Sequence, residues 1–202
     1  MERANQMRNG GNVWGQPVGV HSVRTNPYNN DVSTHATITQ MRQYAHQCAR
    51  HPVVVNAVID ALGGAARSQR DIADALFYWV RHNVQFTEDE ELMYESLGVP
   101  IQSLDKELLI LPPVLLTMPQ PMGDCDDYSL LLASMLLCCG MRPYFVTVAA
   151  DADDLRKWSH IYVMTYLQDE GKYMCLDAGN RFPVVPPGWE ADKVTRKAIW
   201  AV

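Results

Sequence analysis

The stretch from Tyr128 to Met141, YSLLLASMLLCCGM, constrains the fold more than any other part of the chain. Wound as a helix from Cys125 to Cys139, it places Tyr128, Leu130, Leu131, Leu132, Met135, Leu136, Leu137 and Cys138 on every side and leaves no polar stripe. A helix of that kind belongs at the centre of a domain, covered all round. The nearly apolar run from Leu130 to Met141 is 12 residues long, well short of the ~20 that span a bilayer, so the expected cover is protein and no membrane is expected as a partner. Gly140 supplies a left-handed stop.

The flanking segments predict the cover. Between Thr37 and Arg50 the residues Ile38, Met41, Ala45 and Cys48 recur at helical spacing; His51-Pro52 interrupts them before a second apolar turn from Val53 to Leu62, which Gly63-Gly64 ends. Ser68 is the expected N-cap of a third helix, with Asp71 in its first turn and Ile72, Ala75, Leu76, Trp79 and Val80 on one face. Asn83 to Phe86 leave it as a short extended piece. Residues 87 to 121 show no sustained period: Thr87 to Glu91 read as a solvated loop, and Leu108 to Leu116, broken by Pro112-Pro113, as packed but irregular. Beyond the central helix, Tyr144–Ala149, Ile161–Leu167 and Lys172–Asp177 read as strands, joined by a polar loop at 150 to 158 and the turn Gln168-Asp169-Glu170-Gly171. Helices first and strands later is an α+β order. Residues 1 to 35, rich in Asn, Gly, Ser and Thr, are expected to be an extended or partly disordered arm, with Trp14, Val18, Val20 and Tyr28 as sparse anchors on the domain or on another subunit. Residues 36 to 202 then form a single domain with a loop-rich tail.

A net charge of -6 with no Lys/Arg cluster argues against binding a phosphate backbone, so no nucleic-acid partner is expected. The N-terminal MERANQMRNGGNVWGQ has no apolar core of a secretory signal, which points to a cytoplasmic protein. Five cysteines, an odd set without zinc-site spacing, fit a reducing compartment. Four of them, Cys48, Cys138, Cys139 and Cys175, sit in apolar periodic segments and are read as small hydrophobes.

Cys125 differs in position. It falls at the start of the central helix, where unsatisfied N–H groups and the helix dipole lower a thiol pKa from ~8.5 towards ~3.5 to 7.5. Gly123 lets the chain turn sharply before it. Asp126 and Asp127 suit the first turn but oppose the thiolate, so a nearby imidazolium would have to offset them. With Asp124 they form either a cap or a divalent-ion site; the alternating ligands and glycine of an EF-hand loop are missing, and neither metal nor cofactor is expected.

His160 opens a strand in which His160, Tyr162, Met164 and Tyr166 share one face. The midpoint between His160 and Asp177 falls between Gln168 and Asp169, inside the expected turn. Residues equidistant from a hairpin turn face each other, so the two should be neighbours to within about one residue or one bulge. Alone, such a histidine is more often a surface residue, and Asp177 before Ala178-Gly179-Asn180 is also ordinary turn chemistry. Together, Cys125, His160 and Asp177 read as nucleophile, base and orienter.

The run GDCDDYSLLLASMLLCCGMRPYFVTV, then HIYVMTY, a Gly-containing turn and YMCLDAG, resembles the catalytic core of the transglutaminase-like cysteine hydrolase superfamily, in particular bacterial and phage members with a GDCDD box. The resemblance covers about residues 68 to 180. It implies a papain-like α+β fold with Cys125 as nucleophile, His160 as general base and acid, and Asp177 as orienter. It further implies a peptide or protein substrate, a thioester formed from an amide, and transfer of the acyl group to water or to an amine. The oxyanion would be held by the Cys125 backbone N–H and a second donor, for which Gln120 resembles the glutamine of papain-like enzymes; Pro119 and Pro121 around it also fit a plain loop. A second reading is a structural or assembly protein that keeps the fold, such as a component of a phage particle, with residues 1 to 35 gripping a copy of itself or another virion protein.

Overall fold

The computed structural model describes residues 20–24, 30–64, 68–88, 106–151, 154, 156–179, 185–190 and 194–202. The expected anchors Trp14, Val18 and Tyr28, and the segment 89–105, lie outside these residues.

Three helices precede the site. The first, α1 (Asn30–Cys48), buries Ile38, Met41, Ala45 and Cys48 as their spacing predicts. It starts earlier than the apolar pattern does and runs through position 35. Its first turn is held by polar contacts from distant segments: Trp158 donates its backbone N–H to Asn30 Oδ1 at 2.7 Å and its indole N–H to Asp31 Oδ1 at 2.7 Å, and Arg196 reaches Asp31 at 3.0 Å. Helix α2 (Pro52–Leu62) begins with Pro52 in the first turn and ends at Gly63 in the left-handed region, φ 53°. Helix α3 (Gln69–Asn83) opens on a capping box, Ser68 and Asp71 each bonding the other's backbone N–H at 3.1 Å. Its buried face is Ala73, Leu76, Phe77 and Val80, one position round from the expected stripe.

Further elements appear where the sequence carries no sustained period. Strand β1 (Val20–Arg24) pairs antiparallel with β3 (Lys106–Ile110), Val20 opposite Ile110. Between Phe86 and Leu116, the segment expected to be irregular therefore contains β3 and a one-turn helix, α4 (Pro112–Leu115), with Leu108 to Pro113 all buried. Consecutive buried residues such as Leu108, Leu109 and Ile110 show no period-2 alternation, and Pro112 starts a helix as readily as it breaks one. Two short strands, β2 (Gln85–Phe86) and β4 (Met122–Gly123), pair in parallel and bring the exit of α3 to the entrance of the central helix.

That helix, α5 (Cys125–Cys138), is buried from Asp126 through Leu136, and Gly140 stops it at φ 71°. It packs on a four-stranded antiparallel sheet of β5 (Pro143–Val148), β6 (His160–Leu167), β7 (Lys172–Leu176) and β8 (Lys197–Ala201), in the order β7-β6-β5-β8. The architecture is α+β, a buried helix on an antiparallel sheet. Phe145, Ile161, Val163, Met174 and Leu176 join the main core with α5. The opposite face carries Val146, Val148, Tyr162, Met164 and Cys175, a smaller core packed with Tyr144 and Val194. Strand β8 lies within the expected tail: residues 197–201 alternate in exposure and pair with β5, and Trp200 donates its indole N–H to Thr147 Oγ1 at 3.0 Å. Among the described residues, no helix is long and apolar enough to cross a membrane.

Candidate active site

Asp124 is the N-cap of α5, in extended conformation, and its carboxylate accepts the Asp126 N–H at 3.1 Å. Cys125 is therefore the first helical residue, half-buried, as the pattern predicts. Of the two readings of the acid cluster, a cap or an ion site, the capping role of Asp124 is visible. The three carboxylates approach within 4.8 Å of one another, a spacing a cation can bridge. Asp127 also has a structural task, since its Oδ1 accepts the Ile110 N–H at 2.7 Å and ties the end of β3 to the first turn of α5. Gly123 makes room for that carboxylate: a Cβ at 123 would lie 2.4 Å from Asp127 Oδ2.

His160 and Asp177 form a hydrogen-bonded pair, Nε2 lying 2.9 and 3.0 Å from the two carboxylate oxygens. With Nε2 as the ring nitrogen that meets the carboxylate, Nδ1 is left as the second ring nitrogen. Asp177 is 5% exposed. The register differs from the expected one. Leu167 pairs with Lys172 and Val163 with Leu176, so the turn is centred between Asp169 and Glu170, and the extended ladder sets Asp177 opposite Tyr162. His160 lies two residues further along β6, on the same face, and meets Asp177 diagonally. The Tyr162 ring flanks the imidazole, with centroids 6.2 Å apart, and its hydroxyl donates to Glu190 from the C-terminal segment.

The turn after Asp177 leads back to the thiol-bearing helix. A Cβ on Gly179 would sit 3.3 Å from Cys125 Cα and 3.5 Å from Tyr128 Cβ, so the bare backbone of Gly179 lies against the helix start. One turn along α5, Ser129 donates to the Ile161 carbonyl at 3.2 Å, joining the helix to β6 beside His160. Tyr128 donates to the Val84 carbonyl, and Arg81 Nη1 donates to the Ala178 carbonyl at 3.3 Å. The sequence singled out none of Arg81, Ser129 and Gly179 as site residues. Gly179 alone had a local signal, its place in the Asp177-Ala178-Gly179-Asn180 turn.

Gln120 is exposed beside the β2–β4 bridge, where its carboxamide N–H donates to Gln85 Oε1; the Gln85 N–H in turn donates to the Pro121 carbonyl at 2.8 Å. The segment before Cys125 is thus fixed by the exit of α3. The other cysteines are also thiols. Burial pushes Cys48 up to about 12 and Cys139 and Cys175 up to about 11, and it raises Cys138 as well.

No protein-family model matches the chain, and no curated protein matches it. Among solved structures, it is similar to a candidate protease from Parabacteroides distasonis, with 11% identity and a TM-score of 0.43 over 75% of this chain and 26% of that one. It is also similar to a TGase, with 12% identity and a TM-score of 0.43 over 95% of this chain and 60% of the other. A third, a candidate cysteine protease from Cytophaga hutchinsonii, shows 13% identity and a TM-score of 0.41 over 89% and 59%. The chain spans from about a quarter to about three fifths of these structures.

Proposed function

We propose that the protein is a transglutaminase-like cysteine hydrolase of peptide, isopeptide or other amide bonds, working through a thioester on Cys125. The observation that carries this reading is the His160–Asp177 pair at 2.9 Å, combined with a turn that continues from Asp177 to rest Gly179 against the first residue of α5. In this mechanism Asp177 holds the imidazole with its proton on Nε2, and Nδ1 accepts the Cys125 thiol proton. The thiolate attacks the amide carbon. The oxyanion that forms is held by the Cys125 backbone N–H and by a second donor, for which Gln120 is the candidate. Collapse of the tetrahedral species breaks the C–N bond, and His160 returns the proton to the leaving amine. Water then attacks the thioester carbon, giving its proton to His160; the carboxylic acid leaves and the thiol is restored. An amine in place of water would give acyl transfer by the same steps.

The test is mass spectrometry of the protein after incubation with a library of peptides and cell-wall fragments. The expected result is an acyl adduct on Cys125 that is absent from Cys125→Ala and slow to form in His160→Asn. Turnover that survives in Cys125→Ala would overturn the reading.

A further inference from the structure

The acids around Cys125 pose an electrostatic problem, and the fold holds a candidate answer. On its own helix the thiol has Asp124, Asp126 and Asp127 as neighbours, and Asp177 lies at the end of β7. Each of these carboxylates that is ionised opposes a further negative charge on the thiol. Two described groups of positive sign bear on this arrangement: His160 on β6, when protonated, and Arg81 in the last turn of α3, which is charged at every working pH.

Arg81 is also placed to act on geometry. Its guanidinium donates to the carbonyl of Ala178, the residue between Asp177, which holds His160, and Gly179, which rests on Cys125 Cα. Three residues on, the Val84 carbonyl receives the Tyr128 hydroxyl. The end of α3 is thus fastened twice to the site, once to the turn and once to the first turn of α5. The field of Arg81 reaches that helix as well: burial pushes Tyr128 up to about 12, and Arg81 is the charge that opposes the rise.

We propose that Arg81 is a positioning residue of this site: it clamps the Asp177–Gly179 turn onto the start of the central helix, and its fixed charge holds Cys125 as thiolate against the surrounding carboxylates. This rests on the reading of Cys125 as the nucleophile. An arginine in the last turn of a helix also suits that helix's dipole, and such a role would alter stability while leaving the thiol unchanged.

The experiment follows iodoacetamide alkylation of Cys125 against pH, read at that residue by peptide mass spectrometry, in the full chain and in Arg81→Met, Arg81→Gln and Arg81→Lys. Arg81→Met is expected to move the midpoint up by about one pH unit and to slow labelling below the midpoint about tenfold. Arg81→Gln keeps a donor for Ala178 but no charge, and should shift nearly as far. Arg81→Lys should recover most of the wild-type profile, and thermal melts of each variant confirm that folded protein is compared. Profiles for Arg81→Met and Arg81→Gln that overlay a low-midpoint wild type would overturn the role of Arg81 and leave Cys125 as nucleophile. A wild-type Cys125 that reacts like free cysteine would instead remove the nucleophile reading, and the role of Arg81 with it.

Discussion

Replacing Gly123 by alanine tests how the acidic box is built. The new methyl would lie 2.4 Å from Asp127 Oδ2, 2.8 Å from its Cβ and 2.9 Å from its Cγ. Carbon contacts normally sit at about 3.5 to 4.0 Å, so Asp127 must retreat by the better part of an ångström. It has little room, being fully buried and bonded through Oδ1 to the Ile110 N–H at 2.7 Å. Overpacking of this kind costs about 1–3 kcal/mol, and leaving the buried Ile110 N–H without its acceptor about 1–3 kcal/mol. The middle of the combined range is about 4 kcal/mol, or roughly 12 °C of melting temperature for a chain of this size. Calorimetry measures the loss directly, and a cycle with Asp127→Gly identifies its cause. With no side chain at 127 the added methyl meets nothing there, and its cost should drop below about 1 kcal/mol. Equal costs in both backgrounds would refute the reasoning, as would a Gly123→Ala protein that melts with the wild type.

Asp177→Asn should keep the fold while slowing acyl-enzyme formation by about 10²- to 10⁴-fold, since the amide no longer fixes the Nε2–H tautomer of His160; single-turnover rates with an activated ester measure it, and an unchanged rate would count against the triad. Iodoacetamide at pH 7.5 should label Cys125 well before Cys48, Cys139 and Cys175, whose thiols burial holds at about 12, 11 and 11, whereas in urea all five should react alike. Arg70 and then Lys172 hold the Glu170 carboxyl at about 2, below its ordinary 4.5. A lowered folded pKa contributes stability that is complete above pH 4.5 and is lost as pH falls through about 2, so Glu170→Gln should flatten the loss of stability across that window. Urea midpoints between pH 2 and 6, repeated in high salt to screen the pair, check it.

The fold was legible where burial leaves a periodic mark. The all-round apolar helix, the capping box at Ser68 and Asp71, the Gly63 stop and three of the four sheet strands follow from local pattern, and the structure moves their ends by only a residue or two. What local pattern could not supply was structure held from a distance. The first turns of α1 carry few apolar residues and depend on Trp158 and Arg196, more than 120 positions away. Residues 108–110 of β3 are buried without alternation, and the strand pairs with β1, a segment that carries no strand pattern. Strand β8 carries no alternation in sequence, because after Lys197 the residues Ala198, Ile199, Trp200 and Ala201 are all apolar; its alternation is one of exposure and exists only once the strand pairs with β5.

The site was legible for a more specific reason. The expected hairpin register was two residues off, yet His160 and Asp177 meet, because side chains in a strand repeat every two residues and an even slip keeps each on its face. A slip of one would have sent them to opposite sides of the sheet. The sequence therefore needed only to set the parity of the turn, and the length of the two side chains covers the diagonal that remains. Arg81, Ser129 and Gly179 had no such help. Each acts through a backbone carbonyl or through the absence of a Cβ, on a partner between 32 and 97 positions away or packed by van der Waals contact alone. A histidine and an aspartate that pair declare themselves by residue type; the groups that fix their backbone are of types found anywhere, and only the folded chain singles them out.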